Sequence, residues 1–325
     1  MCTSMTLKTR DFYFGRNLDL ECGFGERVVL TPRGYVFPFR RQRERRAQYA
    51  MIGMASVLDD YPLYAEAVNE KGLCIAGLNF PGNAWYAKEE IDGRDNISQF
   101  ELIPWILSQC TTVTEAERLF ARINLIDIPF REGMPLAELH WHIADRERSI
   151  VVEAMRDGVH IYDNPTGVLT NNPPFSFHLT NLNLYLNLTD HSPENRFSGQ
   201  LDLKPFAQGM GALGMPGDSS STSRFVKAVF NRLHSSCEEG EGNSVGQFFH
   251  LLESVAMVEG TVLTPAGVFD KTTYSCCINV DQGIYYYKTY GNSQITAVQM
   301  HQEDLDGSEL RQYPLVTEQK IRYMN

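Results

Sequence analysis

The sequence has 325 residues, of which 43% are hydrophobic and 21% charged, as in ordinary globular proteins and unlike disordered, collagenous or disulfide-scaffold chains. Its 40 acidic residues outnumber its 29 Lys and Arg residues, and the net charge of −11 argues against a nucleic-acid partner, because binding to phosphates needs cations. No apolar run approaches the roughly 18 residues of a membrane span, and no signal-like segment opens the chain, so we expect a cytoplasmic protein without a membrane anchor.

The first half of the chain is predicted to contain strands followed by two helices. Short apolar or alternating runs, bounded by Gly, Pro and Asp, predict strands at residues 13–18, 27–30, 35–39, 49–57 and 72–78. Apolar residues at helical spacing predict a helix over 100–107. Thr112 with Glu115 three residues later is a capping box, which predicts a second helix that reaches Ile123.

The second half is predicted to contain strands, then helices, then strands again. Strands are predicted at 139–144, 150–154, 159–162, 274–280, 284–289 and 295–299. Helices are predicted at 175–188, at 224–233, and from the capping box of Ser244 and Gln247 to Met257. Strands and helices are thus grouped rather than strictly alternating, and no repeat, linker or phosphate-binding glycine motif occurs. We predict one domain over residues 1–325, with packed sheets flanked by helices.

Several polar features allow two interpretations each. Five arginines within residues 40–46 are either an anion-binding patch or a solvated turn that pairs with acidic surface on a neighbouring subunit. His140 and His142 share one face of a strand and are either metal ligands or a packed pair, and the sequence places no third ligand beside them. The seven cysteines include no C-x-x-C pair, so neither a disulfide framework nor a zinc ribbon is predicted.

Cys2 is the first candidate for chemistry. Its small side chain favours removal of Met1, which would leave a free α-amine on the residue that carries the thiol. Such an amine is partly neutral near physiological pH and could accept the thiol proton and later protonate a leaving amine. Cys at position 2 also occurs by chance. Arg16 and Asp19 end a strand that could pair with one beginning at Cys2, although they could equally form an ordinary ion pair at a strand end.

These residues belong to a longer set of motifs. They are MCT at 1–3, FGRNLD at 14–19, DYP at 60–62, NEKGL at 69–73, GLNFPG at 77–82, LHW at 139–141, SIVVE at 149–153, LTNNP at 169–173, PGD at 216–218 with SRF at 223–225, and YYYKTY at 285–290. In this order and spacing, over nearly the full length, the chain resembles the conjugated bile salt hydrolases (choloylglycine hydrolases) of the N-terminal nucleophile hydrolase superfamily.

The resemblance implies a fold and a set of roles. The fold would be α+β, a four-layer αββα sandwich with two stacked antiparallel sheets between helical layers. Cys2 would be the nucleophile once Met1 is removed, with Asp19 binding the α-amine and Arg16 beside the thiol. Asn79 and Asn171 would donate to the oxyanion, and Arg224 would complete the polar cluster. On residue type alone, both asparagines are better explained as turn residues before prolines. The spacing does not distinguish Asn171 from Asn172, and the family pattern selects Asn171.

The resemblance also places an apolar pocket for the acyl group on loops. Its predicted lining residues are Leu18, Leu58, Ala65, Phe130, Met134 and Ala137. Phe24 and Tyr64 are further candidates. Apolar side chains on loops are typical of a cavity lining, but the same side chains could simply cover the core.

The expected function is hydrolysis of the amide that joins a bile acid to glycine or taurine, with no metal or organic cofactor and a homotetrameric assembly. A penicillin V acylase-type amidase is the nearest alternative; in the family, Asn at position 79 goes with bile salt hydrolases and an aromatic residue with the acylases. A lipid or sterol carrier would keep the apolar loops without needing Cys2, Arg16 and Asp19. The sequence does not rank glycine against taurine conjugates or one pattern of sterol hydroxylation against another.

Overall fold

Two antiparallel sheets form the centre of the computed structural model, which describes residues 1–325. The strands are β1 Cys2–Lys8, β2 Phe12–Leu20, β3 Arg27–Thr31, β4 Val36–Phe37, β5 Arg45–Arg46, β6 Met51–Leu58, β7 Tyr61–Asn69, β8 Cys74–Asn79, β9 Asp95–Ser98, β10 Ile123–Ile126, β11 Leu139–Ala144, β12 Ser149–Met155, β13 Gly158–Asp163, β14 Val168–Leu169, β15 Lys271–Asn279, β16 Ile284–Thr289, β17 Asn292–Gln299 and β18 Arg311–Pro314. One sheet has the order β14-β1-β2-β15-β16-β17, and the other has the order β13-β12-β11-β8-β7-β6-β3-β18.

Helices cover the outer face of each sheet. They are α1 Leu102–Leu107, α2 Val113–Phe120, α3 Phe175–Asn181, α4 Ser221–His234 and α5 Glu241–Glu253. α1 packs on β7 and β8 of the eight-stranded sheet, whereas α4 and α5 pack on strands of the six-stranded sheet. The sheets meet where β1 and β2 contact β8. The layer order is therefore helices, sheet, sheet and helices, which confirms the predicted αββα sandwich.

The apolar core has two parts, one on each side of the eight-stranded sheet. The first lies between the sheets and extends to α4 and α5, with Phe14 and Leu78 fully buried. The second lies between the eight-stranded sheet and the first two helices, with Ile106 and Trp141 fully buried. Gly15 is needed at the contact of β2 with β15, because a Cβ atom there would lie 2.0 Å from the Cys276 carbonyl oxygen. This close approach aligns the strands that carry the polar residues described below.

Some local predictions are confirmed and others are wrong. Thr112 caps α2 by accepting a hydrogen bond from the Glu115 amide, but the helix stops at Phe120, and Ile123 begins β10 beside β9. α5 begins at Glu241, so Ser244 lies inside the helix and does not cap it. Its hydroxyl instead lies 2.9 Å from the Thr9 hydroxyl, a contact 235 residues apart in sequence.

The Arg-rich run makes contacts within the chain. The guanidinium of Arg40 donates to the Phe130 carbonyl at 2.7 Å, and that of Arg45 stacks 4.8 Å from the centre of the Trp105 ring. Arg41 pairs with Glu90 at 2.8 Å. Three of the five arginines therefore attach this segment to other parts of the same chain. No helix of the structure is long and apolar enough to cross a bilayer.

Candidate active site

The predicted polar residues surround the start of β1. Cys2 lies opposite Leu18 in the pairing of β1 with β2, and its residue is 3% exposed. Its backbone nitrogen donates to Asn171 Oδ1 at 2.8 Å. The Met1 amine donates to the Asp19 carbonyl at 2.6 Å and lies 3.5 Å from Asp270 Oδ2. The beginning of the chain is thus held in place by side chains and backbone from distant segments.

Asp19 lies at the far end of β2, fully buried. Its Oδ1 accepts from the Thr272 hydroxyl at 2.6 Å, and its Oδ2 lies 4.0 Å from the Arg224 guanidinium. Burial raises the pKa of Asp19, although Arg224 and the Thr272 hydrogen bond favour the charged form and oppose the shift. The Asp19 carboxylate is therefore held by Thr272 and Arg224. The backbone carbonyl of the same residue binds the Met1 amine.

Arg16 lies on β2, close to Cys2 of β1, and is also fully buried. Its Nη1 donates to the Gly77 carbonyl at 2.6 Å and lies 3.8 Å from Glu66 Oε2, while Nη2 has no partner. Burial disfavours the guanidinium charge, but Cys2, Tyr274 and Glu66 outweigh burial, so the pKa of Arg16 is raised. Arg16 Nη2 is thus a buried donor without an acceptor, and its guanidinium lies close enough to Cys2 for the sulfur to raise its pKa.

Asn171 and Arg224 connect the two sheets at Cys2. Asn171 Oδ1 accepts from both the Cys2 nitrogen and Arg224 Nη2, each at 2.8 Å, and Asn171 Nδ2 donates to the Asn79 carbonyl at 2.7 Å. Arg224 Nη1 donates to the Cys2 carbonyl at 2.5 Å and to the Thr3 hydroxyl at 2.6 Å. Burial lowers the pKa of Arg224, against the attraction of Asp19, Cys2 and Asp270.

Asn79 ends β8 at the rim of this cluster. Its residue is exposed, and its side chain makes no hydrogen bond within the protein. The neighbouring residue, Phe80, stacks on His140 with ring centres 4.3 Å apart, which holds the end of the strand. The Asn79 amide is consequently free to donate to a bound group.

The two histidines on β11 are buried and hydrogen-bonded within the protein. His140 lies between Glu153 Oε1 and the Thr170 carbonyl, each at 3.0 Å. His142 lies between the hydroxyls of Ser4 and Ser149, each at 2.8 Å. The interpretation of these residues as a packed strand pair accounts for all four ring nitrogens.

An apolar cavity of about 170 Å³ lies between the eight-stranded sheet and the segment before α1. It collects three of the six predicted lining residues, Phe130, Met134 and Ala137, together with Tyr64. The other three lie elsewhere. Leu18 is opposite Cys2, Ala65 packs against the core between the sheets, and Leu58 packs against the outer core. Phe24 is 37% exposed and does not line the cavity.

Sequence reasoning missed two carboxylates beside the site. Glu66 is fully buried and accepts hydrogen bonds from the hydroxyls of Tyr274 at 2.7 Å and Tyr285 at 2.5 Å. It is the only charged residue in β7, and a charge in the middle of an otherwise apolar strand was a signal that could have found it. Asp270, which is 4% exposed, follows an exposed loop and offered no such signal.

Comparisons with known proteins show the family of this chain. Residues 2–313 match the choloylglycine hydrolase family of linear amide C–N hydrolases, and the chain belongs to that family. It is 48% identical to a bile salt hydrolase/transferase of Lactiplantibacillus plantarum and 38% identical to one of Clostridium perfringens, in each case over the whole of both chains.

Solved structures agree as well. The crystal structure of a C2A mutant of the conjugated bile acid hydrolase from Clostridium perfringens superimposes with a TM-score of 0.93 at 37% identity, and the match covers all of both chains. A penicillin V acylase from Agrobacterium tumefaciens, at 19% identity and a TM-score of 0.75, shares the fold.

Proposed function

We propose that this protein hydrolyses the amide bond of glycine- and taurine-conjugated bile acids, releasing the free bile acid and the amino acid. The observation that carries the proposal is Cys2, placed at the start of β1 among Arg16, Asn171 and Arg224, in a chain whose full-length relatives are bile salt hydrolases. Glycine and taurine conjugates are both included because nothing in the site distinguishes them.

In the proposed reaction, Met1 is first removed, so that the Cys2 nitrogen becomes the α-amine. This amine accepts the thiol proton, and the sulfur attacks the amide carbonyl carbon to form a tetrahedral intermediate. The amine then gives the proton to the leaving nitrogen, the C–N bond breaks, and a thioester remains. Water, deprotonated by the same amine, attacks the thioester, and the proton returns to sulfur as the bile acid leaves. The short contact of the Cys2 nitrogen with Asn171 Oδ1 supports this use of the nitrogen.

The surrounding residues are assigned roles by their contacts. We propose that Arg16 favours the thiolate and that Asp19, with Arg224, orients the amine. Asn79 and Asn171 would donate to the oxyanion, where one such donor contributes about 3–4 kcal/mol to transition-state stabilisation. The Asn79 amide, which has no partner within the protein, supports its role as a donor. The influence of Cys2 on the pKa of Arg16 supports the role of Arg16 beside the thiolate.

The acyl group would lie along the apolar residues at the mouth of the sandwich. We retain Leu18, Leu58, Ala65, Phe130, Met134 and Ala137 as its proposed contacts. The cavity lined by the last three supports this part of the proposal, and Leu18 lies opposite Cys2, where the acyl chain would enter.

The alternatives are less well supported. Asparagine at position 79, rather than an aromatic residue, favours bile salts over penicillin V as substrates under the family pattern described above. A lipid or sterol carrier would need the apolar cavity but not Arg16 and Asp19. Burying these two charged side chains costs free energy, and lipid binding does not require them.

We further propose that the chain is a single N-terminal nucleophile hydrolase domain that forms a homotetramer in the cytoplasm. The one-domain assignment is supported by the site itself, to which both sheets contribute. The segment 182–213 supports oligomer formation, because several of its large apolar side chains are exposed in the single chain. They are Leu184, Leu186, Phe197, Phe206 and Leu213. Seven cysteines, all free, are consistent with a reducing compartment.

The test combines an intact mass with an assay of amino acid release. We expect the purified protein to lack Met1 and to release glycine and taurine from conjugated bile acids. A phenoxyacetyl amide serves as the comparison substrate and should be cleaved more slowly. Failure to release either amino acid from a chain shown by mass to lack Met1 would contradict the proposed function.

A further inference from the structure

Glu66 lies on β7, and the proposed reaction assigns it no role. It is fully buried, and both of its carboxyl oxygens have partners. Oε2 accepts from the Tyr274 hydroxyl at 2.7 Å and lies 3.8 Å from Arg16 Nη1. Oε1 accepts from the Tyr285 hydroxyl at 2.5 Å and lies 3.5 Å from Cys276 Sγ. Three strands of the six-stranded sheet therefore supply partners to one carboxyl group of the eight-stranded sheet.

These contacts match an ionised carboxylate. Burial raises the pKa of Glu66, and Arg16 opposes the shift together with the hydrogen bonds from Tyr285, Tyr274 and Cys276. An ionised carboxylate only accepts hydrogen bonds. Each of the two phenols has one proton to donate and no other acceptor within the protein, so both are satisfied by an anion at Glu66.

Arg16 connects this carboxylate to Cys2. In the pairing of β1 with β2, Cys2 is opposite Leu18 and Ser4 is opposite Arg16. Residues two apart share a face of a sheet, so Cys2 and Arg16 lie diagonally on one face, within reach of a long side chain. Burial disfavours the charge of Arg16, but the attraction of Cys2 and Glu66 contributes to its raised pKa. Arg16 is thus one cation that acts on both the sulfur and the carboxylate.

The guanidinium of Arg16 is also held by backbone groups. Its Nη1 donates to the Gly77 carbonyl at 2.6 Å and to the Ala65 carbonyl at 3.1 Å. Neither contact involves the side chain of Glu66. A change of charge at Glu66 should therefore alter the electrostatics around Arg16 while the guanidinium stays in place.

The other charged groups near Cys2 do not contact Glu66. Arg224, on α4, donates to the Cys2 carbonyl and lies 4.0 Å from the carboxylate of Asp19 on β2. Asp270, which precedes β15, lies 3.5 Å from the Met1 amine. Loss of Met1 adds the α-amine of Cys2 to this group. Because a substitution at Glu66 leaves all of these groups unchanged, its effect on Cys2 can be measured separately from theirs.

We propose that Glu66 is a positioning residue that acts on Cys2 through Arg16: its carboxylate shares the guanidinium charge and thereby sets the pH at which Cys2 becomes a thiolate. With Glu66 present, less of the Arg16 charge stabilises the thiolate. The free enzyme then keeps Cys2 as a thiol, the form whose proton the α-amine passes to the leaving nitrogen. This inference rests on the proposed function, in which Cys2 is the nucleophile.

The test measures the rate at which iodoacetamide alkylates Cys2, as a function of pH, in protein that lacks Met1. Iodoacetamide reacts with the thiolate, and the reaction needs no catalytic turnover. Peptide mass spectrometry distinguishes Cys2 from the other six cysteines. In Glu66→Gln the midpoint of the pH profile should move to lower pH by about one unit, because a neighbouring charge typically shifts such an equilibrium by about 1–3 units. Damage to the structure alone would not shift the midpoint in this direction.

Glu70→Gln is the matched control. It makes the same chemical change four residues later, where the carboxylate accepts from Arg33 Nε and from the Ala50 amide, each at 2.8 Å. This variant should have the midpoint of the wild type. A second comparison tests the route through Arg16. In an Arg16→Gln background, the change from Glu66 to Gln should move the midpoint by less than half as much, because the cation that joins the two groups is gone.

Thermal unfolding shows which variants are folded. If Glu66→Gln does not fold, Glu66→Asp provides the same test. Its carboxylate is one methylene shorter and therefore farther from Arg16, so the midpoint should move in the same direction by about half a unit.

Two results would overturn the inference. The first is an unchanged midpoint in the folded Glu66 variant, which would mean that the carboxyl group does not act on Cys2. The second is an equal shift with and without Arg16, which would mean that it does not act through Arg16. Neither result affects the proposed function as long as the wild type releases glycine or taurine. If the folded wild type without Met1 releases neither, the proposed function itself fails, whatever the midpoints are.

Discussion

The charged residues around Cys2 are buried, and each is paired. Arg16, Asp19 and Arg224 are at most 3% exposed, and all three make hydrogen bonds to groups from other segments. Removing one member of such an arrangement typically costs about 3–5 kcal/mol, because the other members remain buried without partners. Substitutions of these residues therefore confound loss of activity with loss of fold, and the first tests of the mechanism belong at residues with fewer partners.

Cys2→Ser is the most direct of these tests. Serine preserves the size of the side chain but is a far weaker nucleophile at neutral pH, so hydrolysis should fall by about a thousandfold or more while bile salt binding and the fold are retained. Glycine release, circular dichroism and binding by calorimetry check the three statements. Cys22→Ser, at an exposed loop position, is the control and should stay active. Substantial turnover by Cys2→Ser with Met1 removed would rule out the thiol mechanism.

Asn79→Tyr tests the choice between acyl groups. The Asn79 side chain is free at the rim, so the substitution should leave the fold intact. Loss of the amide donor and the larger ring at this rim position should together reduce bile salt turnover about a hundredfold. A phenoxyacetyl amide should be spared or even favoured, because in the family an aromatic residue at this position goes with the penicillin V acylases. Kinetics on both substrates provide the measurement. Equal losses on both would show that Asn79 acts only as a donor, and would remove the basis for preferring bile salts over penicillin V.

His142 should make stability depend on pH. Burial, with smaller contributions from Arg232 and His140, lowers the pKa of His142 from 6.5 to about 3. Below pH 6.5 the unfolded chain binds a proton that the folded chain does not, so this contribution to stability is present above pH 6.5 and is lost as the pH falls toward 3. The loss is about 1.4 kcal/mol per pH unit in that range.

Urea unfolding of the wild type and of His142→Gln between pH 7 and pH 5 checks this statement. The glutamine cannot take up a proton, so the free energy of unfolding should depend less steeply on pH in the variant. Parallel pH profiles for the two proteins would show that His142 takes up a proton in the folded state as readily as in the unfolded state.

Strand β7 contributes to both the apolar cavity and the polar cluster around Cys2. Leu63 and Tyr64 line the apolar cavity, the Ala65 carbonyl binds Arg16, and Glu66 accepts from two buried tyrosines. A register irregularity between Met54 and Ala55 of the neighbouring strand lies beside this stretch. A bulge of this kind changes which way side chains point, and it lets consecutive residues face the cavity.

The segment 182–213 should form the contact between subunits. Leu186 and Phe206 are 83% and 89% exposed, and neither contributes to the core. Changing both to Asp should therefore dissociate the proposed tetramer into single chains of 36.9 kDa and leave the free energy of unfolding of each chain nearly unchanged. Light scattering after gel filtration measures the mass. Lys227→Glu, on α4 outside the segment, is the charge control. An unchanged mass in the double variant would exclude this surface.

The proposed chemistry requires the removal of Met1. While Met1 is attached, the Cys2 nitrogen is part of a peptide bond and cannot act as a base. Inserting a leucine after Met1 should block its removal and give a folded, inactive protein. Intact mass, unfolding and glycine release distinguish the two effects. Full activity with the extension retained would refute the α-amine as the base.

Features that depend only on neighbouring residues were predictable from the sequence. Strands 139–144 and 284–289 were predicted with the bounds that the structure has, because alternation and propensity act within a few residues. The Thr112 cap was readable for the same reason. The order of the motifs along the chain was sufficient to predict the family and the αββα fold, and it singled out Cys2 and the five polar residues that lie around it.

Which buried polar groups find hydrogen-bond partners depends on the tertiary fold. Cys2 and Asn171 are 169 residues apart, and no local pattern brings them together. Glu66 is tolerated inside β7 because tyrosines on β15 and β16 reach it, and Gln99 is left without a partner because the surrounding walls are apolar. The physical reason is that the cost of burying a polar group depends on the atoms opposite it, and those atoms come from distant parts of the chain.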